Sequence, residues 1–81
     1  MKGWLLIEAK NILGPYIKIY RRKLGISQDF LAARLSTKGL KFDRTMISKI
    51  ENQTRELCDY EILGICNALS ISVSDLYAKI N

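Results

Sequence analysis

Eighty-one residues suffice for one domain with one modest core and are too few for two. Hydrophobic residues make up 48% of the chain and charged residues 26%, a globular composition that excludes disordered, collagen-like and low-complexity classes. The formal charge of +5 is uneven: residues 1–57 hold twelve Lys and Arg against five acids, whereas residues 58–81 hold only Lys79 against Asp59, Glu61 and Asp75. The first two thirds are therefore expected to face a polyanion, although charge of this size alone decides little.

Cysteine and histidine usage narrows the chemistry further. There is no histidine, and Cys58 and Cys66 are the two cysteines, too few ligands for the usual four-coordinate zinc site. Eight residues on one helix separate two Cα atoms by about 12 Å, beyond the roughly 7 Å that a disulfide tolerates. Both thiols are expected to be reduced, with Cys66 in the core. No nucleophile–base pair and no phosphate-cradling glycine loop are visible, so neither an enzyme nor a cofactor is expected. The run Trp4-Leu5-Leu6-Ile7 is far too short to span a bilayer. It also lacks the length and cleavage site of a signal peptide. A cytoplasmic protein without a membrane role is expected.

Residues 1–13 are the least readable. They read as an arm lying on the core, an extra element used in dimer contact, or a partly disordered segment; the arm is preferred because Trp4 and Ile12 would otherwise be exposed. Gly14-Pro15 marks the first clear helix start, since proline is favoured in the first turn. Ile17, Tyr20 and Leu24 then form one apolar stripe, and Gly25 can close the helix in the left-handed conformation. Ser27 is a natural N-cap for a second helix with Leu31, Ala32 and Leu35 inward and Gln28, Asp29 and Ala33 outward. That helix runs to about Lys38, with Gly39 ending it.

Leu40 and Phe42 pack the connection, and Asp43 caps a third helix. There Ile47 and Ile50 face the core while Thr45, Ser48, Lys49 and Asn52 fall on the opposite face by 100° steps. Asp59 is expected to cap a fourth helix with Ile62, Ile65, Cys66 and Leu69 inside. Ser72 with Asp75 forms a capping box for a fifth, whose Val73, Leu76, Tyr77 and Ile80 make another stripe. Five short helices are expected over residues 15–80, with no repeat and no strand-like alternation of useful length.

The second helix, its connection and the third helix make a candidate helix-turn-helix, in which one helix crosses the DNA backbone and the next enters the major groove. Three segments carry a family resemblance: Arg21-Arg22-Lys23-Leu24-Gly25-Ile26-Ser27-Gln28-Asp29-Phe30-Leu31-Ala32, then Ile47-Ser48-Lys49-Ile50-Glu51-Asn52, then Ala68-Leu69-Ser70-Ile71-Ser72. Together they resemble the phage-repressor and Cro-like (XRE-type) helix-turn-helix family over about residues 12–77. The resemblance implies an all-α, five-helix, lambda-repressor-like DNA-binding domain over residues 14–81, preceded by an N-terminal arm.

By that resemblance Gln28 contacts a phosphate, where free backbone N–H groups and the helix dipole also favour an anion. Ala32 is the small residue that lets the two helices approach. Arg21 and Glu51 resemble the family's paired charges, which orient the recognition helix more than they stabilise the fold. Arg44, Thr45 and Lys49 occupy the positions that reach base edges, with Met46 and Ser48 as additional contacts. Arginine can bind guanine O6 and N7 bidentately, and Thr45 and Met46 can offer methyls to thymine. Asn52, Thr54 and Arg55 should lie near phosphates.

Two departures from the family pattern stand out. Residues 36–42 lengthen a turn that usually holds about 3 to 4 residues, adding Lys38 and Lys41, which either contact phosphate or keep a loop soluble. Gln53 stands where glycine commonly ends the recognition helix, so that helix is expected to run on or end less cleanly. The expected function is a homodimeric transcriptional regulator of double-stranded DNA, a repressor, dimerising through Leu76, Tyr77 and Ile80 or through residues 4–7. Its rivals are an antitoxin that also occludes a toxin protein, and a protein-interaction module without DNA binding whose partner is a toxin or RNA polymerase.

Overall fold

Helices in this chain start where a side chain can satisfy the free N–H groups of a first turn, a requirement every helix must meet. The computed structural model describes residues 8–80. Among them are five helices and no strand: α1 (Gly14–Lys23), α2 (Gln28–Thr37), α3 (Arg44–Glu51), α4 (Asp59–Ala68) and α5 (Val73–Ala78). Ser27 Oγ accepts from the Phe30 N–H at 3.0 Å, and Asp43 Oδ1 from the Met46 N–H at 2.8 Å. Ser72 and Asp75 form the reciprocal pair, Ser72 Oγ accepting at 2.9 Å and Asp75 Oδ2 at 3.1 Å.

The start of α4 differs from expectation. Cys58 takes the cap position and Asp59 is the first helical residue, with the Glu61 carboxylate reaching back to the Cys58 N–H at 3.0 Å. A carboxylate three residues into a helix accepts from the N–H of the cap residue, the half of a capping box that does not depend on the cap side chain. At α1 the acceptor comes from outside the helix: Asn11 Oδ1 accepts from the Leu13 and Gly14 N–H groups at 3.1 and 2.7 Å.

Four helices end in the same way. Gly25, Gly39, Gln53 and Ser70 all have positive φ, at +70°, +87°, +64° and +58°. Each donates to a carbonyl three residues back while the following N–H reaches five back, as in Thr54 N–H to Lys49 O at 2.9 Å and Ile71 N–H to Cys66 O at 3.0 Å. This is the Schellman closure. The expectation that α3 ends poorly for want of glycine is therefore corrected. Gln53 enters the left-handed region itself, and the Lys10 N–H donates to its carbonyl at 2.9 Å.

Ile17, Leu31, Leu35, Ile47, Ile50, Ile65, Leu69 and Leu76 are fully buried in one core, with Ala32 and Cys66 among them. Truncating any of the large ones to alanine should cost about 2–5 kcal/mol. Leu24, expected on the α1 stripe, is exposed because α1 stops at Lys23 and Leu24 follows as its cap. Tyr77 is likewise exposed, and Ile80 lies beyond the end of α5. With Leu76 committed to the core, the α5 stripe offers no continuous dimer face. Residues 4–7, the other expected dimer contact, lie outside the described residues.

α3 packs against both α1 and α2, and α4 bridges α2 to α5. A Cβ on Gly14 would overlap the Ile50 carbonyl oxygen, so the start of α1 lies directly on the end of α3. The longer connection over residues 38–43 is held down rather than loose. Leu40 packs where a Cβ on Gly64 would collide with it, and Phe42 is buried. No helix among the described residues is long and apolar enough to cross a membrane.

Candidate nucleic-acid interface

The Asp43 cap makes Arg44 the first residue of α3, and the helical repeat then sorts the side chains. Ile47, Ile50 and Glu51 turn inward, Arg44, Thr45 and Lys49 are exposed, and Met46 and Ser48 are half-buried. Arg44, Thr45, Ser48 and Lys49 line one surface depression of about 280 Å³ together with Gln28 from the start of α2. Met46 is not among its walls. It packs against the core instead.

Behind α3 lies a buried polar hub. Arg21 Nε donates to Glu51 Oε2 at 2.7 Å and Nη2 to Oε1 at 3.1 Å, while Nη1 donates to the Ile26 carbonyl at 2.8 Å. Gln28 Nε2 adds a third bond to Glu51, to Oε1 at 3.0 Å. The Glu51 hydrogen bond, opposed by burial, raises the already high pKa of the Arg21 guanidinium. Every donor that meets Glu51 comes from another helix. The hub thus sets the angle of α3 against α1 and holds Gln28 at the rim of the depression.

Apart from Gln28, whose amide is bonded to Glu51, the residues expected near phosphate divide into two groups. Lys38, Lys41, Asn52 and Thr54 are exposed, Lys38 and Asn52 as the caps that end α2 and α3. Thr54 Oγ1 donates to the Lys49 carbonyl at 3.2 Å. Arg55 is engaged within the chain. Its Nη1 and Nη2 donate to Glu61 Oε1 and Oε2 at 3.1 and 2.9 Å, and its guanidinium lies over the Phe42 ring at 5.2 Å. The Arg55 hydrogen bond, against the opposing effect of burial, holds the Glu61 carboxyl below the usual carboxylate range.

Sequence reasoning missed two features of this surface. Asn11 Nδ2 donates to the Ile50 carbonyl at 3.0 Å and the Arg55 carbonyl at 2.8 Å, tying the end of α3 to the start of α1. Gln53 Nε2 returns a bond to the Asn11 carbonyl at 3.0 Å. An asparagine three residues before Gly14-Pro15 was a readable capping signal, but its distant partners were not. The second feature is Asp29, whose Oδ1 lies 4.0 Å from Arg44 Nε.

Both cysteines are free, Cys58 exposed and Cys66 buried. Burial pushes the Cys66 thiol up, and the Asp75 charge adds to the shift. Among the described residues no group of three or more His, Cys, Asp or Glu side chains is placed to hold a metal. Comparison with protein-family models, curated proteins and solved structures returns no match.

Proposed function

We propose that this chain binds double-stranded DNA sequence-specifically and acts as a transcriptional regulator, a repressor, through a lambda-repressor-like helix-turn-helix with a lengthened turn. In this reading α2 crosses the phosphate backbone and α3 occupies the major groove. The observation that carries it is the depression shared by Gln28, Arg44, Thr45, Ser48 and Lys49. An arginine, a lysine, a threonine methyl and two hydroxyls suit base edges. The glutamine beside them sits at a helix N-terminus, where phosphate is favoured. All are exposed or half-exposed, and α3, which carries four of the five, is braced from behind by Arg21 and Glu51.

Two copies on a partly palindromic site would place their α3 helices about 34 Å apart, one turn of B-DNA. The direct experiment is selection from a randomised duplex library followed by a salt titration on the enriched sequence. With about 6 to 10 phosphates neutralised, affinity should fall about 10³- to 10⁵-fold between 50 and 200 mM salt. A flat titration overturns the proposal. A second reading, a docked protein partner such as a toxin or RNA polymerase, draws on Tyr60 and Leu63, 55% and 53% exposed one turn apart on α4. Co-purification without salt-dependent DNA affinity would favour it.

A further inference from the structure

We infer that Asp29 is a positioning residue for base recognition, holding the Arg44 guanidinium in the orientation that reads one base; the inference rests on the DNA-binding reading above. Asp29 is the second residue of α2 and Arg44 the first of α3, so the two helix starts present opposite charges across the corner of the motif. Asp29 Oδ1 stands 4.0 Å from Arg44 Nε, and the two side chains are 77% and 68% exposed.

In water such a pair contributes little to stability. Its value lies in geometry. The guanidinium is a rigid planar fork with five donors, and a carboxylate on its Nε edge leaves the terminal Nη1 and Nη2 edge facing outward. That edge can meet guanine O6 and N7 with two parallel hydrogen bonds. The same carboxylate repels phosphate oxygens, so it discourages Arg44 from settling on the backbone as a generic anion contact. When a duplex covers the depression and excludes water, the attraction between the pair strengthens. Lys49, on the same face, has no acid within salt-bridge reach among the described residues and serves as the internal control.

A plain structural role exists for Asp29 as well, because an acid in the first turn of a helix favours the dipole. The two roles separate by readout. Duplex selection should be run on the wild type, Asp29→Asn, Asp29→Glu, Arg44→Ala and the Asp29→Asn/Arg44→Ala double variant, with circular dichroism checking the fold of each. Arg44→Ala should abolish a guanine preference of about five- to 150-fold at one position per half-site.

Asp29→Asn should weaken that same preference by about two- to fivefold, the scale of an exposed charge pair. It should also strengthen binding to unrelated duplex and steepen the salt slope by about one, as the released arginine takes a phosphate. Asp29→Glu should restore most of the preference, Asp29→Asn should add nothing in the Arg44→Ala background, and the position read by Lys49 should not move.

An Asp29→Asn motif identical to the wild type overturns the inference while leaving DNA binding intact. So does loss of a cytosine preference that Arg44→Ala leaves untouched, since Asp29 would then read a base itself. If the wild type enriches no sequence, the DNA-binding reading fails and this inference with it.

Discussion

The inner flank of α3 and the segment just beyond its end are both braced by an arginine gripping a glutamate with two hydrogen bonds, yet the two braces are built differently. On the inner flank Arg21 and Glu51 have side chains only 9% and 1% exposed, and Gln28 completes the carboxylate. Beyond the end, Arg55 remains 27% exposed while it holds Glu61 and covers Phe42. The first brace joins three helices and fixes how α3 is presented. The second ties a connection to the start of α4. One arginine sets the site, and the other keeps its surroundings in place.

Removing one partner of the inner brace should have the largest effect. Glu51→Ala leaves the Arg21 charge buried without its partner and is expected to cost about 3–5 kcal/mol, read as a shift in the urea midpoint. Replacing both, as Arg21→Met with Glu51→Leu, removes the buried charges together and should restore most of that stability. If orientation is what the pair supplies, the double variant will fold well yet bind duplex more weakly. Full binding by a stable double variant would reduce the inner brace to the same local role as the outer one.

Glu61→Gln tests the outer brace and should cost about 1.5–3 kcal/mol at neutral pH, the scale of hydrogen bonds to a charged group. Because Arg55 lowers the folded-state value of the Glu61 carboxyl, its contribution is complete above the unfolded value of about 4.3. It drains away as pH falls below that and through the lower folded value. Urea midpoints between about pH 5 and 3 should therefore fall more steeply for the wild type than for Glu61→Gln. Parallel curves would mean that the ion pair seen here contributes nothing in solution.

The two braces also differed in how readable they were. Arg21 and Glu51 sit on helices with clear apolar periodicity, and the motif around them pointed to a pair. Arg55 sits within an aperiodic connection and Glu61 in the first turn of the helix that follows it. The sequence marked Arg55 only as a cation near the interface, and the carboxylate that occupies it came from a residue with no motif of its own. The helix starts at Ser27, Asp43 and Ser72 were legible because capping is local, encoded within four residues. The cap that Asn11 makes is equally local, but its tie to the end of α3 was not legible, because those carbonyl partners lie 39 and 44 residues away. On the candidate site, 100° steps separated exposed from buried positions on α3, and it was the family resemblance that added Met46, on the flank, to the base-facing set. A half-buried flank is the position that periodicity resolves least well.

This difference predicts distinct salt behaviour for two cations expected near phosphate. Lys41 is exposed in the connection, so Lys41→Ala should weaken binding to all duplexes nearly equally and reduce the salt slope by about one. Arg55→Ala should lower stability through Glu61 and Phe42 while leaving the slope unchanged. Equal slope losses in both variants would show that DNA draws Arg55 away from Glu61, and the outer brace would then be part of the interface.

The smallest effect concerns the residues that close α3 and α4. Gln53 and Ser70 both hold the left-handed conformation that glycine holds after α1 and α2. A side chain there costs about 1–2 kcal/mol, against about 0.5–1 kcal/mol of extra chain entropy lost by a glycine on folding. Ser70→Gly should therefore stabilise by about 0.5–1 kcal/mol and raise Tm by about 2–8 °C in a domain of this size. At position 53 the same gain is offset, because Gln53 Nε2 donates to the Asn11 carbonyl and such a bond contributes about 1 kcal/mol. Gln53→Gly should leave Tm nearly unchanged. A rise equal to that of Ser70→Gly would show that the Asn11 contact adds no stability, and that the end of α3 is held by its backbone bonds alone.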